Sequence, residues 1–402
     1  MAPLLGFDEA RDRLLGLARP LGTERAALDT ADGRVIRETV LAHVDSPPAD
    51  TSAMDGYAVA TADLTHAPYT LPVVGMARPG ALLERLAPGT ACRIFTGAEL
   101  PLGADAIVLQ EDAREDAGRV TFDAAPSHGD HVRRRGEDLA VGATAVAEGT
   151  RLTPSKLGLL ASLDRAWVTV SRRPRVAIIG TGDELRLPGT PHRPGTVAES
   201  GTLVVRALAA RAGADAVVCP MVRDDPDALA AALRDALRAT DLVVTVGGMS
   251  EGDFDLVRPT LSAVGATLTF FKVAIKPGKP LGVGEHPGGY FLGLPGNPAA
   301  AVVTFALFGV PFLRALAGDS RPIAPRRTAR LATPVRQKPG RRTFLRATLE
   351  SGDDDDLPRV RPLLHQSSGS IATVAHADVL AVVPETVSEL PAGATVEVIA
   401  FE

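Results

Sequence analysis

Between Asp241 and Pro298 the sequence places carboxylates, ammonium groups and glycines at regular intervals. A buried-type strand, Asp241 to Val246, breaks into Gly247-Gly248-Met249-Ser250-Glu251-Gly252-Asp253-Phe254-Asp255. A second apolar run, Phe270 to Ile275, ends in Lys276-Pro277-Gly278-Lys279-Pro280. A third, Tyr290 to Leu294, ends in Pro295-Gly296-Asn297-Pro298. Glycines let backbone N–H groups approach and cradle phosphate oxygens. Lysines supply point charges for phosphate, and paired aspartates such as Asp253 and Asp255 suit Mg2+, which takes carboxylates together with phosphate oxygens. One such turn would be an ordinary tight turn with solvated charges. Three at successive strand ends, with complementary charge, predict a site for a phosphorylated ligand and a divalent metal. Ligands of open α/β sheets bind outside the carboxyl ends of the strands, where these turns would lie.

The elements that must position these turns have readable patterns. Arg175 to Leu185 is a buried strand running into Gly180-Thr181-Gly182, followed by Asp183 and Glu184. Leu203 to Ala212 is helical with Gly213 as its stop, and Ala216 to Val222 is a strand. Asp224-Asp225-Pro226 opens a helix, Asp as N-cap and Pro in the first turn, with Leu229, Leu233 and Leu237 as its buried stripe. Alternating strands and helices predict a parallel sheet with both faces covered. Gly-Thr-Gly is not GxGxxG, so a dinucleotide fold is a poor match. Pro298 to Leu316 is a long apolar core helix.

Upstream, Phe7 to Ala18 has helical apolar spacing, and Arg34 to Val44 is extended. The loop Asp45 to Tyr57 is rich in proline and small polar residues, with Met54 and Tyr57 read as a buried face. Short runs at Thr70–Val74, Ala91–Phe95, Ala106–Gln110 and Arg119–Phe122 predict a β-rich module. Within it Thr96-Gly97 is either a plain turn or an anion site. Arg133 to Asp138 is either a solvated loop or a phosphate clamp with an acid beside it. His128 and His131 have HxxH spacing but no further ligand cluster, so a metal site is not expected there. Helical (Pro154 to Leu163) and strand (Ala166 to Val170) segments lead to Arg172-Arg173-Pro174, read as a domain boundary; Arg321 to Arg327 reads as a linker. Runs at Thr328–Val335, Thr343–Leu349, Val379–Val383 and Thr395–Phe401 predict a small all-β tail, barrel or sandwich, and Asp353–Asp356 an acidic, solvated turn.

Composition narrows the function classes. At 402 residues the chain suggests about two to four domains. Aromatic residues make up only 4% and the net charge is −5, which argues against stacking platforms and a nucleic-acid partner of large footprint. Cys92 and Cys219 stand far apart, form no CxxC pair and fit a reducing cytoplasm. No signal peptide is read at the N-terminus, and no apolar run approaches the roughly 18 residues of a membrane span.

Taken in order, Ser52-Ala-Met-Asp-Gly-Tyr-Ala58, Arg93-Ile-Phe-Thr-Gly-Ala98, Arg135-Gly-Glu-Asp138, Gly180-Thr-Gly-Asp-Glu-Leu185, Gly247-Gly-Met-Ser-Glu-Gly-Asp253, Lys276-Pro-Gly-Lys-Pro280 and Gly293-Leu-Pro-Gly-Asn-Pro298 closely resemble the bacterial molybdopterin molybdenumtransferase family, whose eukaryotic relative is the gephyrin E domain. The resemblance covers nearly the whole chain, and the ordered set is far more specific than any one motif. It implies a multidomain α/β chain: an N-terminal domain of residues 1–45 plus 140–171, a β-rich insertion at 46–139, a molybdopterin-binding α/β domain at 172–320, and a C-terminal β-barrel at 321–402. It further implies an elongated cytoplasmic homodimer that inserts molybdenum from molybdate into adenylylated molybdopterin, with Mg2+ and release of AMP. A molybdopterin adenylyltransferase and cofactor-accepting enzymes would be its protein partners.

By the same resemblance, functional residues fall on Asp55, Thr96, Asp138, Glu184, Asp224, Asp255, Lys272 and Lys276. Ligand contacts fall on Gly247, Gly248, Ser250, Lys279, Pro295, Gly296, Asn297, Pro298, Arg346 and Ser368, and Mg2+ on Asp253 and Asp255. Asp55, Thr96 and Asp138 would face the α/β domain of the other subunit. The sequence departs from the family pattern at Glu199-Ser200-Gly201, where a side-chain amide is missing at Gly201, and at Glu251, Ala300 and Ser367. Two other readings are weighed. An adenylyltransferase usually stands as the α/β domain alone, and a non-catalytic scaffold would tolerate loss of the acidic residues that this chain retains.

Overall fold

The computed structural model describes residues 4–81, 84–249, 256–350 and 357–400. Ser250, Asp253 and Asp255, and the acidic run 353–356, lie outside them.

Six strands form the sheet that carries the glycine turns: β1 (Arg175–Gly180), β2 (Asp215–Val218), β3 (Leu242–Val246), β4 (Thr267–Phe271), β5 (Gly282–His286) and β6 (Gly289–Leu294). Their order is β2-β1-β3-β6-β5-β4. β2, β1, β3 and β6 are parallel; β5 runs against β6, and β4 against β5. β4 therefore points the same way as the parallel strands, and the carboxyl ends of β1, β3, β6 and β4 share one edge.

β3 is buried along its whole length, as its unbroken apolar sequence requires of a strand covered on both faces. Alternate residues serve opposite cores. Val176, Ile178, Val244 and Leu292 pack with helix α1 (Gly201–Arg211) and with the helical stretch from Pro298. Ala177, Ile179, Val243 and Phe291 pack against Leu229, Leu233 and Leu237 of helix α2 (Pro226–Ala239) and Val257 and Leu261 of helix α3 (Val257–Ala263). Asp225 caps α2 by accepting from the Ala228 N–H (2.7 Å), the role its sequence position predicts.

Two sequence readings are corrected here. Phe270 to Ile275 is not one strand. β4 ends at Phe271, Lys272 adopts φ 71°, and Ile275–Lys276 joins Arg342–Thr343 as a parallel pair belonging to the C-terminal unit. The sheet's turn thus reaches across to the barrel, a pairing that local patterning cannot reveal. The stretch Pro298–Leu316 does have the length and composition of a membrane span (19 residues, mean hydropathy 1.9), but 78% of it is buried inside the protein. It is continuous apart from a π-helical segment at Phe305–Gly309, where a Cβ on Gly309 would lie 2.3 Å from the Phe305 ring.

The tail closes into a five-stranded barrel of β7 (Arg327–Leu331), β8 (Arg342–Glu350), β9 (Arg359–Pro362), β10 (Val379–Val383) and β11 (Thr395–Ala400). Its ring order is β8-β9-β7-β11-β10-β8. Closure removes the free sheet edges. Ala329, Leu345, Val360, Ala381 and Val398 fill its inside.

Nearer the N-terminus, Thr23–Ala27 pairs with Trp167–Ser171, and Val40–Leu41 with Thr144–Val146. Between these segments sits a six-stranded sheet in which the predicted runs near 70, 91, 106 and 119 all become strands. Tyr57 is buried there, whereas Met54 is 43% exposed, contrary to its reading as a core residue.

Candidate functional site

Three backbone turns meet at the shared sheet edge. After β1 comes Thr181-Gly182, after β3 Gly247-Gly248, after β6 Pro295-Gly296. Gly247 has φ 105°, and a Cβ there would sit 2.4 Å from the Thr181 carbonyl oxygen. Gly248 has φ 65°, and its Cβ would meet Val257 at 2.5 Å. A Cβ on Gly296 would come within 3.4 Å of the Gly247 Cα. At Gly247 and Gly248 only glycine permits this approach. The Gly247 N–H donates to the Leu294 carbonyl (3.2 Å) and the Thr181 N–H to the Val246 carbonyl (3.1 Å), so the turns are tied to neighbouring strand ends. Met249 folds beneath them, its sulfur and terminal methyl filling the space over Gly282 and Gly293.

Around this bare backbone stand charged side chains. Asp224 accepts from the Thr181 hydroxyl (3.4 Å), and its N–H donates to Asp183 (3.3 Å). The exposed Glu184 turns its carboxylate over Gly182, into the space a Cβ would occupy at 2.4 Å. Thr181 and Asp183 thus join Asp224 and Glu184 in one cluster. Neither received a role from the sequence, although the Gly-Thr-Gly-Asp-Glu run held the signal. At the far side of the edge, Lys272 lies with its ammonium 5.2 Å from the Phe271 ring centre. Lys276 is exposed and Lys279 half-buried on the turn that crosses to β8. Gly278 there has φ 101°, and its Cβ would lie 2.1 Å from the buried Thr304 hydroxyl.

Pro298 opens the helical stretch after β6, with Asn297 at the cap position and its carbonyl accepting from the Ala301 N–H (2.9 Å). Ser368 docks here, its carbonyl accepting from the Ala300 N–H (3.1 Å). Arg346 does not reach the surface: it is 0% exposed. It donates to the Thr373 hydroxyl (3.1 Å) and the Ser367 carbonyl (2.9 Å), while its own N–H donates to the Gln366 side chain (3.1 Å). Its place in the structure is that of a strut holding the serine turn against Asn297 and Pro298, not of a ligand contact.

The β-rich module carries a second group. Asp55 accepts from the Thr96 N–H and the Thr96 hydroxyl, both at 2.8 Å. These bonds, the backbone one first, hold the Asp55 carboxyl below the usual range against the small opposing effect of burial. Arg93, which the sequence left without a role, lies between Tyr57 (4.8 Å) and Phe95 (5.2 Å) and donates to Gln110. Gly56 is required beside Asp55, since a Cβ would stand 2.0 Å from the Val108 carbonyl. A Thr96→Val variant retains the backbone donor and loses the hydroxyl. Its Asp55 pKa is expected to rise, moving the acid limb of the pH–activity profile upward; an unmoved limb would remove Asp55 ionisation from that profile.

Asp138 is exposed and accepts from Arg133 (2.8 Å). Arg134 pairs with Asp50 (2.8 Å) and Arg135 with Asp45 (2.5 Å). All three arginines of the Arg133–Arg135 run are therefore matched by carboxylates, those of Asp138, Asp50 and Asp45, and the solvated-loop reading prevails over the phosphate clamp. His128 faces Asp105 (3.2 Å). The described residues contain no group of three or more His, Cys, Asp or Glu able to hold a metal.

Glu199 explains one departure in the sequence. It is 7% exposed and accepts from the N–H and hydroxyl of Thr202 (2.7 and 2.5 Å), satisfying the start of α1 from within the chain. A Cβ on Gly201 would lie 3.0 Å from Val246, so any larger residue there needs that side chain to shift.

Residues 5–163 match the family described as MoeA N-terminal region (domain I and II), residues 177–315 the probable molybdopterin binding domain, and residues 328–401 the MoeA C-terminal region (domain IV). A protein of Mycobacterium tuberculosis named molybdopterin molybdenumtransferase 2 is 38% identical over 383 residues, spanning 92% of this chain and 93% of its own length. A molybdopterin molybdenumtransferase of Haemophilus influenzae is 33% identical over 402 residues, 99% of each chain. The crystal structure of a molybdopterin biosynthesis MoeA protein from Pyrococcus horikosii superposes with a TM-score of 0.79 at 31% identity, covering 99% of both chains.

Proposed function

The chain belongs to the molybdopterin molybdenumtransferase family of molybdenum cofactor biosynthesis enzymes, and from that premise we propose that it inserts molybdenum from molybdate into adenylylated molybdopterin with Mg2+-dependent release of AMP. The observation that carries this reading is the meeting of the Thr181, Gly247 and Gly296 turns at one sheet edge, with the Asp224–Glu184 cluster on one side and Lys272 on the other. Turns without Cβ atoms leave room for the phosphates of the substrate to approach the strand ends. Lys272, Lys276 and Lys279 neutralise phosphate or molybdate, and Glu184 and Asp224 order water or the oxyanion. Such chemistry depends on positioned charge more than on covalent steps.

Mg2+ takes one or two carboxylates and completes its shell with water and phosphate oxygens. The absence of a three-residue cage among the described residues is compatible with that sharing. In this reading Asp253 and Asp255 would hold the ion, which would supply positive charge to the phosphate-bearing substrate. Asp55, Thr96 and Asp138 bond within their own module and act on the α/β domain of a second subunit, so the working form is a homodimer. The domain limits are 1–45 with 140–171, 46–139, 172–320 and 321–402. The pairing of residues 23–41 with 144–171 and the closed barrel after 327 support them. Two free thiols, Cys92 and Cys219, fit a cytoplasmic location.

The test is AMP release. Purified protein is mixed with adenylylated molybdopterin, Mg2+ and molybdate, and AMP is followed by chromatography. Release that requires molybdate is expected. Tight pterin binding without release would replace the transferase reading with that of a carrier.

A further inference from the structure

The turn that carries Lys276 and Lys279 rests on one buried hydroxyl. Gly278, between the two lysines, is buried, and the Cβ that any other residue would add there lies 2.1 Å from Thr304 Oγ1 and 3.4 Å from Thr304 Cβ. Glycine has a hydrogen in that direction, so its Cα–H points at the Thr304 oxygen. Thr304 is 0% exposed, and its Oγ1 has no hydrogen-bond partner. A helical threonine ordinarily can return its hydroxyl to the carbonyl four residues back. Thr240 at the end of α2 and Thr260 within α3 do so, donating to the Ala236 and Leu256 carbonyls at 2.8 and 2.6 Å. Thr304 instead turns its oxygen toward the lysine turn.

The neighbours of Thr304 in the chain, Val302, Val303 and Phe305, belong to the same apolar core as Ile275, whose Cδ1 also faces Gly278. Stability alone favours valine in such a place, because a buried hydroxyl without a partner is costly. What the oxygen offers is a closer approach. Cα–H···O contacts settle at about 3.3–3.6 Å and carbon–carbon contacts at about 3.5–4.0 Å. We propose that Thr304 is a positioning residue for the lysine turn: its oxygen, accepting from the Gly278 Cα–H, seats the turn and so sets where Lys276 and Lys279 stand. This rests on the reading above, in which those lysines meet the anionic parts of the substrate. Thr304 closes the helix Pro298–Thr304, which opens directly after the Pro295-Gly296-Asn297 turn. One helix thus has a glycine turn of the site at its start and the seat of the lysine turn at its end, and it fixes the spacing between the two.

The test uses the full chain with Thr304→Val and Thr304→Ser. Valine keeps the branched shape but puts a methyl group where the oxygen was; serine keeps the oxygen and gives up the methyl group. Thr304→Val is expected to unfold at the wild-type temperature or above it. Its kcat/KM for molybdate-dependent AMP release is expected to fall about tenfold, less than the roughly hundredfold that a 1 Å displacement costs. Thr304→Ser is expected to unfold at a lower temperature and to retain the wild-type kcat/KM. The two variants therefore cross, whereas a threonine with a merely structural role would make activity follow stability. Crystal structures are expected to show the Gly278 Cα moved away from the helix in Thr304→Val and in place in Thr304→Ser. A wild-type kcat/KM in Thr304→Val, or an unmoved Gly278 in that variant, overturns the proposal. Should the wild type itself release no AMP, the transferase reading fails, and the position of Gly278 in the two variant structures decides the seating by itself.

Discussion

A Gly247→Ala variant is expected to lose about a hundredfold in molybdate-dependent AMP release, because displacement of a reacting group by about 1 Å costs on that order. The added methyl group would be placed 2.4 Å from the Thr181 carbonyl oxygen, a backbone atom with no rotamer to retreat into. β1 and β3 must separate at their ends, and the Gly296 turn, packed on the same Cα, moves with them. Alanine at φ 105° adds backbone strain of about 1–2 kcal/mol. Gly265→Ala separates strain from placement. Gly265 also has positive φ (80°), but a Cβ there meets nothing within 4 Å. It is expected to lower stability by a similar 1–2 kcal/mol and leave AMP release intact. Equal losses of activity in the two variants would show that convergence of the turns is not what supports turnover.

Asp241→Asn is expected to lower unfolding free energy at pH 7 by about 2–3 kcal/mol. Asp241 is 6% exposed at the start of β3. It accepts from both terminal nitrogens of Arg172, each at 2.7 Å, and from the Arg175 N–H at 2.8 Å. The estimate sits below the full value for a buried pair because Arg172 keeps 34% of its side chain exposed to screening water. Burial opposes ionisation of Asp241, but the Arg172 bonds and the Arg175 N–H outweigh it, and the carboxyl's folded pKa lies below its ordinary value. The contribution is therefore complete above the unfolded pKa of about 3.9. It declines as pH falls and is gone once pH passes below the folded pKa. Urea unfolding of both proteins at pH 7 and pH 3 measures this: the gap should narrow at the lower pH. A gap independent of pH would mean that the side-chain amide disrupts packing and that the charge contributes nothing.

Much of the fold follows from local pattern. β3 and β6 are legible because a strand buried on both faces must be apolar throughout. The α2 stripe of Leu229, Leu233 and Leu237 is legible because helical periodicity puts them on one face. The turns after β3 and β6 were readable as strand ends because glycine clusters break an apolar run, whereas the lysine turn, read as a third such end, instead pairs with β8. The split of Phe270–Ile275 was not legible, since the strand end at Lys272 and the pairing with Arg342–Thr343 depend on a segment some seventy positions away.

The chemistry available is written locally: the strand-end glycines, the separate carboxylates of Asp224 and Glu184, the lysine turn, and the Asp55 and Thr96 motifs. Each is written in a few consecutive residues. Packing decides which charged groups act outward and which act on the protein. Arg346 and Glu199 both carry charge at positions that suit a ligand. Yet Arg346 is sealed inside against carbonyls of residues 365–367, and Glu199 is spent on the first turn of its own helix. Arg134 and Arg135 are matched by Asp50 and Asp45, acids some 80 to 90 positions earlier, and Arg133 by Asp138 five positions later. Charge is a property of the residue. Whether it is neutralised, buried or presented depends on neighbours that the chain brings together only when it folds.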